Sequence, residues 1–144
     1  MRILAATDGS DAASRAVDLA ARLAKALNGR LNIIHVINGH DVPAEQLNEY
    51  ALQEHMTSGE VLSVFSQEKL KTARQRAEAL GVSDVRLESE TGDVPEAIIE
   101  AARRDEVDMI VLGKRGLGRL SGLLLGSVSQ KLVSVAPCAV IVVP

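Results

Sequence analysis

Gly113-Lys114-Arg115-Gly116, nine further residues and then Gly126-Ser127 form the stretch whose residue types and spacing most directly imply chemistry. It follows the apolar run Met109-Ile110-Val111-Leu112, which is bounded by glycine and has the length of a buried strand. Ser127-Val128-Ser129-Gln130 has the S-x-x-Q form of a capping box, so a helix is expected to start there with Ser127 as its cap. The glycines therefore fall on a strand-to-helix turn. At the carboxyl end of a strand, bare glycine backbone and a helix N-terminus with unpartnered amides make a place for phosphate. Charge agrees with that chemistry: residues 113–131 carry Lys114, Arg115, Arg119 and Lys131 and no acid, in a chain whose net charge is −3.

Two familiar phosphate loops do not fit. The pattern G-x-x-x-x-G-K-[ST] holds from Gly113 to Gly118 and then meets Arg119 and Leu120, so the hydroxyl that would contact Mg²⁺ is missing. Gly116-x-Gly118 continues with Arg119, Leu120 and Ser121 rather than x-x-Gly, which argues against a dinucleotide-binding dehydrogenase. From spacing alone, phosphate binding and a purely structural glycine turn both remain open.

Composition narrows the classes further. The chain has 144 residues, the size of one domain, and such a length buries roughly 70% of its unfolded surface. Apolar residues make up 47% and aromatics 1%, with Tyr50 and Phe65 but no Trp. The core must come from Ala, Val, Ile and Leu. Any ring of a bound ligand would likewise lie between aliphatic side chains and backbone. Cys138 is the single cysteine and reads as a small core residue, not a nucleophile. No charged-then-apolar leader and no long apolar run occurs, so no membrane association and a cytoplasmic location are expected. An acidic balance without a basic, aromatic-interleaved stripe argues against nucleic acid.

The elements that must position the loop follow in order. Residues 2–7 form a strand, and Asp8-Gly9-Ser10-Asp11 turns into a helix with Ser10 as cap and Asp11 in the first turn. Ala13, Val17, Ala20, Leu23, Ala24 and Leu27 share its inner face, Arg15, Asp18, Arg22 and Lys25 the outer, and Asn28-Gly29 ends it. Residues 30–36 form a second strand that leaves through Ile37-Asn38-Gly39-His40, with His35 expected as a satisfied core histidine. Residues 44–80 are helical in composition, cover one face of the sheet and break at Thr57-Ser58-Gly59-Glu60, where Gly59 disfavours helix. Residues 82–89 alternate as a half-exposed edge strand. Asp93 caps the next helix, with Pro95 in its first turn and Ala97, Ile98, Ala101 and Ala102 inward. A short helix over 127–135 ends before Pro137, and residues 139–143 form a charge-free terminal strand. Strands alternate with helices, which predicts a single α/β sandwich of three layers with a parallel sheet over residues 1–144. Asp8 ends the first strand and reads, locally, as a carboxylate capping the turn.

Gly113-x-x-Gly116, nine residues and Gly126-Ser127 resemble the G-2x-G-9x-G-[ST] signature of the nucleotide-binding branch of the universal stress protein family. The opening Ile3-Leu4-Ala5-Ala6-Thr7-Asp8-Gly9-Ser10, Ile33-Ile34-His35-Val36, Gly92-Asp93-Val94-Pro95-Glu96-Ala97-Ile98 and the ending Ala136-Pro137-Cys138-Ala139 with Val140-Ile141-Val142-Val143 are similar to family blocks in family order. The resemblance implies a Rossmann-like five-stranded parallel sheet of order 3-2-1-4-5, with Asp8 facing a nucleotide near its ribose and phosphates. It implies adenosine near Val36 and Asp8 and phosphates on the amides around Gly116, Gly126, Ser127 and Val128, with Thr7, Leu112, Gly113, Arg115 and Ser129 also in the nucleotide site. The ligand would be ATP, or ADP or AMP, with Mg²⁺ carried by the phosphates and met by Asp8; no metal site built from protein ligands is expected. It also implies a homodimer paired through residues 139–143. No residue of the signature would activate water, so the expectation is a stress-response nucleotide-binding module with at most slow ATP hydrolysis. An adaptor of the same fold that uses no nucleotide is the alternative. An ATP pyrophosphatase would need an S-G-G-x-D-S loop that Thr7-Asp8-Gly9-Ser10-Asp11-Ala12 does not supply, and a nucleotidylyl transferase would need His-x-Gly-His.

Overall fold

A computed structural model describes residues 1–114 and 125–144. Ten elements run in chain order: β1 (Arg2–Ala6), α1 (Asp11–Ala26), β2 (Arg30–Ile37), α2 (Ala44–Gln53), α3 (Ser58–Ala79), β3 (Val85–Thr91), α4 (Val94–Arg104), β4 (Met109–Gly113), α5 (Ser127–Val135) and β5 (Ala139–Val143). The five strands form one parallel sheet of order β3-β2-β1-β4-β5, the order the family resemblance implies.

The period of two along each strand divides the core between the two faces. Ile3 and Ala5 of β1, Leu31 and Ile33 of β2 and Val111 of β4 meet Val17, Ala20 and Ala24 of α1 and Leu70, Ala73 and Ala77 of α3. Leu4, Ile34, Val36, Ile110 and Leu112 point the other way, onto Ile98, Ala101 and Ala102 of α4 and Leu132 of α5. Alanines dominate the α1 seam, so this helix approaches the sheet closely. At Gly113 the fit is tight enough that an added Cβ would lie 2.9 Å from Ala12 Cβ and 3.0 Å from the Ala13 amide nitrogen. This glycine is therefore needed to admit the start of α1 beside the end of β4.

Most local signals act as read. Ser10 accepts from the Ala13 amide at 3.2 Å and Asp93 from the Glu96 amide at 3.2 Å, each satisfying a first-turn donor. The break at Thr57 exists, but its cause is a cap and not the glycine. Thr57 Oγ1 accepts from the Glu60 amide at 3.1 Å while Glu60 Oε1 accepts from the Thr57 amide at 3.3 Å, a reciprocal capping box, and Gly59 lies inside the first turn.

Four expectations need correction. Ser127 is not a cap: Gly126 occupies that position with extended backbone, Ser127 is already helical, and among the described residues no side chain caps α5. Leu27 lies beyond the end of α1 and is exposed, because the chain leaves the helix through Asn28 at φ 49°. The covering of the sheet by residues 44–80 falls to α3 alone, since α2 rests its Leu47 and Ala51 on Val61 of α3. Cys138 is half-buried rather than fully enclosed, and burial still pushes its thiol up, which keeps the nucleophilic thiolate scarce at neutral pH.

Candidate functional site

Parallel strands all end on the same side, and β1 and β4 are neighbours with Ile3 opposite Met109 and Ala5 opposite Val111. The helix after β1 covers one face and the helix after β4 the other. Between them the carboxyl ends open into a crevice, the place where ligands bind in open α/β sheets. A cavity of about 480 Å³ occupies it, within the range of small-molecule sites.

The cavity has an apolar interior and a polar rim. Ile34 and Val36 of β2, Leu112 of β4 and Val94 and Ile98 of α4 supply aliphatic wall, with no aromatic ring among them. Thr7, Asp8, Asn38, His40, Asp41 and Lys114 supply polar groups, and Gly113, Leu125, Gly126, Ser127, Val128 and Ser129 complete the β4 side.

Each rim is shaped locally. Thr7 extends β1 by donating its amide to the Ile34 carbonyl at 2.9 Å, and its hydroxyl accepts from the Gly9 amide at 3.2 Å. Asp8 Oδ1 accepts from the Ser10 amide at 2.9 Å, so the capping role is present, and the same residue lines the cavity. Past β2, Asn38 Oδ1 accepts from the His40 amide at 2.9 Å, and Gly39 at φ +77° lets the chain turn back over the cavity.

The base of the glycine loop is closed by one carbonyl. Lys114 O accepts from the Gly126 amide at 2.9 Å and from Ser129 Oγ at 2.8 Å, while Ser129 Oγ also lies 3.1 Å from Gly126 O. The Lys114 amide in turn donates to Val143 of β5 at 2.6 Å. The ends of the loop are thus pinned to each other and to the sheet. Ser129 is 2% exposed and has a single hydroxyl proton, directed at these carbonyls; it holds the loop instead of offering a donor to phosphate.

Of the residues expected from the sequence, Thr7, Asp8, Val36, Leu112, Gly113, Gly126, Ser127, Val128 and Ser129 all line this one cavity. Arg115 and Gly116 lie outside the described residues. Sequence reasoning missed Asn38 and His40, which it treated as an exit loop, Asp41, to which it gave no role, and Ile34, Val94 and Ile98, for which alternation along β2 and the inward face of α4 were the available signals. Among the described residues no group of three His, Cys, Asp or Glu is arranged to hold a metal ion.

His35 departs from the expected satisfied core histidine. It is 3% exposed, and its Nδ1 lies 2.7 Å from Ser66 Oγ, itself 2.7 Å from Ser89 Oγ. Among the described residues its Nε2 makes no well-formed hydrogen bond, with Asp41 Oδ2 at 3.4 Å. Burial pushes the imidazole below its usual value and Lys69 pushes the same way, while Asp41 and Asp8 pull it up.

A doubly wound parallel α/β sandwich with a crevice at its switch point is the class that fold and site define. A sequence profile of the universal stress protein family matches residues 1–144, and the chain belongs to that family. It is 38% identical to a universal stress protein of Thermus aquaticus over 98% of this chain and 96% of that one. A universal stress protein of Bacillus subtilis is 31% identical, with 99% and 97% covered. Among solved structures it is similar to a universal stress protein in complex with cAMP, at TM-score 0.73 and 29% identity over 100% of this chain and 97% of the other. UspA from Lactobacillus plantarum superposes at TM-score 0.79 with 26% identity, covering 100% and 97%. Among the described residues no helix is long and apolar enough to cross a membrane.

Replacing Ser129 by Ala removes the side-chain donor at the loop base and leaves buried carbonyl capacity unfilled. The expected cost in chemical denaturation is about 1–2 kcal/mol, with a matching rise in proteolytic cleavage between residues 114 and 126. Unchanged stability and cleavage would show that the Gly126 amide alone closes the loop.

Proposed function

We propose that this chain binds adenine nucleotides, ATP or its lower phosphates, in the crevice between β1 and β4, as a regulatory or protective module of the stress response and not primarily as an enzyme. The observation that carries the reading is the coincidence in one cavity of an aliphatic wall at Val36 and Leu112 with the start of α5, which no side chain among the described residues caps. The wall suits a base that no aromatic ring stacks. The start of α5 suits phosphate, because first-turn amides and the helix dipole both favour an anion there. The similar universal stress protein that was solved with cAMP supports an adenine ligand at this fold.

In this reading the base lies on Val36 and Leu112, the ribose faces Asp8, and the phosphates rest on the amides of Ser127 and Val128 beside the Lys114 cation. Bound phosphates would bring Mg²⁺, with Asp8 as the carboxylate that meets it. Among the described cavity residues, the carboxylates Asp8 and Asp41 and the imidazole of His40 are the groups able to accept a proton, and Asp8 Oδ1 already holds the turn. Asp41 and His40 lie on the β2 side, and none of the described residues at the start of α5, where the phosphates would rest, is a base, so hydrolysis would be slow.

The test is to denature freshly purified protein, identify released small molecules by mass spectrometry, and titrate stripped protein with ATP, AMP and cAMP in a calorimeter. Adenine nucleotide released, or a micromolar dissociation constant, is the expected result. Ser127→Asp keeps a residue that helix N-termini favour yet sets a carboxylate against phosphate. It should weaken ATP at least tenfold, leave adenosine little affected and leave the circular-dichroism spectrum unchanged. A folded protein that releases nothing and gives no heat would favour the adaptor reading.

The charge-free strand β5 lies at the sheet edge with its apolar side chains only partly covered. Such an edge is expected to be paired, and pairing with β5 of a second copy makes a homodimer. Light scattering at micromolar concentration should give twice the 15.3 kDa monomer mass; a monomer would refute it.

A further inference from the structure

Behind the adenine side of the crevice lies a side-chain relay that the nucleotide reading does not use. It begins on β3 at Ser89, passes through Ser66 of α3 to His35 of β2, and ends at Asp41 in the loop that lines the cavity. Both contacts of Asp41 in this relay run through Oδ2, 3.4 Å from His35 Nε2 and 3.9 Å from Lys69 Nζ. Nε2 is buried, and at 3.4 Å its approach to Asp41 Oδ2 is too loose for a well-formed hydrogen bond, so this link is the one in the relay with room to tighten.

Taking the nucleotide reading of the crevice as given, we propose that His35 makes nucleotide binding proton-linked: as the crevice fills, the ring takes up a proton and clamps Asp41, with loop 38–41, over the ligand.

Hydrogen-bond accounting permits both states. A neutral imidazole donates from one nitrogen and accepts at the other, whereas the cation donates from both. Ser66 serves either: its hydroxyl can donate to Nδ1, or accept from it and donate onward to Ser89 Oγ. Protonation therefore strands no polar atom at Nδ1. At Nε2 it converts a 3.4 Å approach into a charge-assisted bond that draws the carboxylate in by a few tenths of an ångström.

The charges around the ring set the direction. From α3 it meets Lys69 and the neutral Ser66, from the loop after β2 Asp41, from the turn after β1 Asp8, and from β3 the neutral Ser89. With the crevice empty, burial and Lys69 hold the ring neutral near pH 7. Phosphates add negative charge to the crevice that Asp8 and Asp41 also line, and that favours the cation. A ligand that raises a proton affinity is, by linkage, bound more tightly where the proton is available. Affinity should therefore rise as pH falls below the ordinary histidine value.

The experiment follows the His35 Cε1–Hε1 signal by NMR from pH 5 to pH 8, with and without saturating ATP, alongside calorimetric titration at both ends. His40 and His55 are assigned by substitution. The expected result is a higher His35 midpoint with ATP and a lower Kd at pH 5; a shift of one unit corresponds to about a tenfold difference in Kd. Asp41→Asn should abolish most of both effects, and since ATP's own protonation is common to both proteins, it cancels in the comparison. An unchanged His35 midpoint in protein that binds ATP would overturn the proposal, as would an Asp41→Asn variant with wild-type pH dependence. Absence of ATP binding at both pH values would remove the nucleotide reading itself, and the proposal with it.

Discussion

The pairing of β1 with β4 is the constraint on which the rest of this structure depends. These strands are 107 residues apart at Arg2 and Met109, yet their ladder sets side by side two strands whose following helices, α1 and α5, lie on opposite faces of the sheet. Crossovers between parallel strands are right-handed. A chain that builds outward from β1 through α1 and α3, then returns through α4 to the other side of β1, must therefore leave a gap at that junction. Asp8 and the glycine loop are brought to one crevice by topology and not by proximity in the chain.

Around that gap structural tasks are divided between backbone and side chains. Gly113 gives up its side chain so that α1 can approach, and the Lys114 carbonyl gathers the Gly126 amide and the Ser129 hydroxyl. These contacts fix where the loop leaves the sheet and where α5 begins. The aliphatic wall from Val36, Leu112 and Ile98 belongs to the core packing of the second face, so the crevice floor is part of the packed core. The polar rim is carried by turns, Asp8 with Ser10 on one side and Asn38 with His40 on the other. Recognition at the rim can thus vary without disturbing the floor.

Legibility from the sequence follows the range of the interactions concerned. Ser10 and Asp93 act within three residues, and their caps are readable from local pattern. Ser127 shows the limit of that method: S-x-x-Q satisfies the pattern, but the extended residue is Gly126, because the Gly126 amide is held by Lys114 O. Strand order came from family resemblance, since alternation of helices and strands determines parallel pairing but not permutation. Asp41 carries no motif at all. It becomes part of the site only because His35, Ser66, Lys69 and Ser89 meet it from other elements, with the His35 to Ser66 link spanning 31 positions and the Ser66 to Ser89 link 23. Nothing short of the folded sheet brings those residues together.

The central claim is that the β1–β4 crevice is where an adenine nucleotide binds, and amide-resolved NMR during ATP titration tests it most directly. The account predicts saturable shifts concentrated at Asp8, Val36, Gly113, Ser127 and Val128, with little change at the amino ends of the strands near Arg2 and Arg30. Saturable shifts clustered away from these residues, for instance along α2 or the outer face of α3, would place the ligand elsewhere and contradict the account.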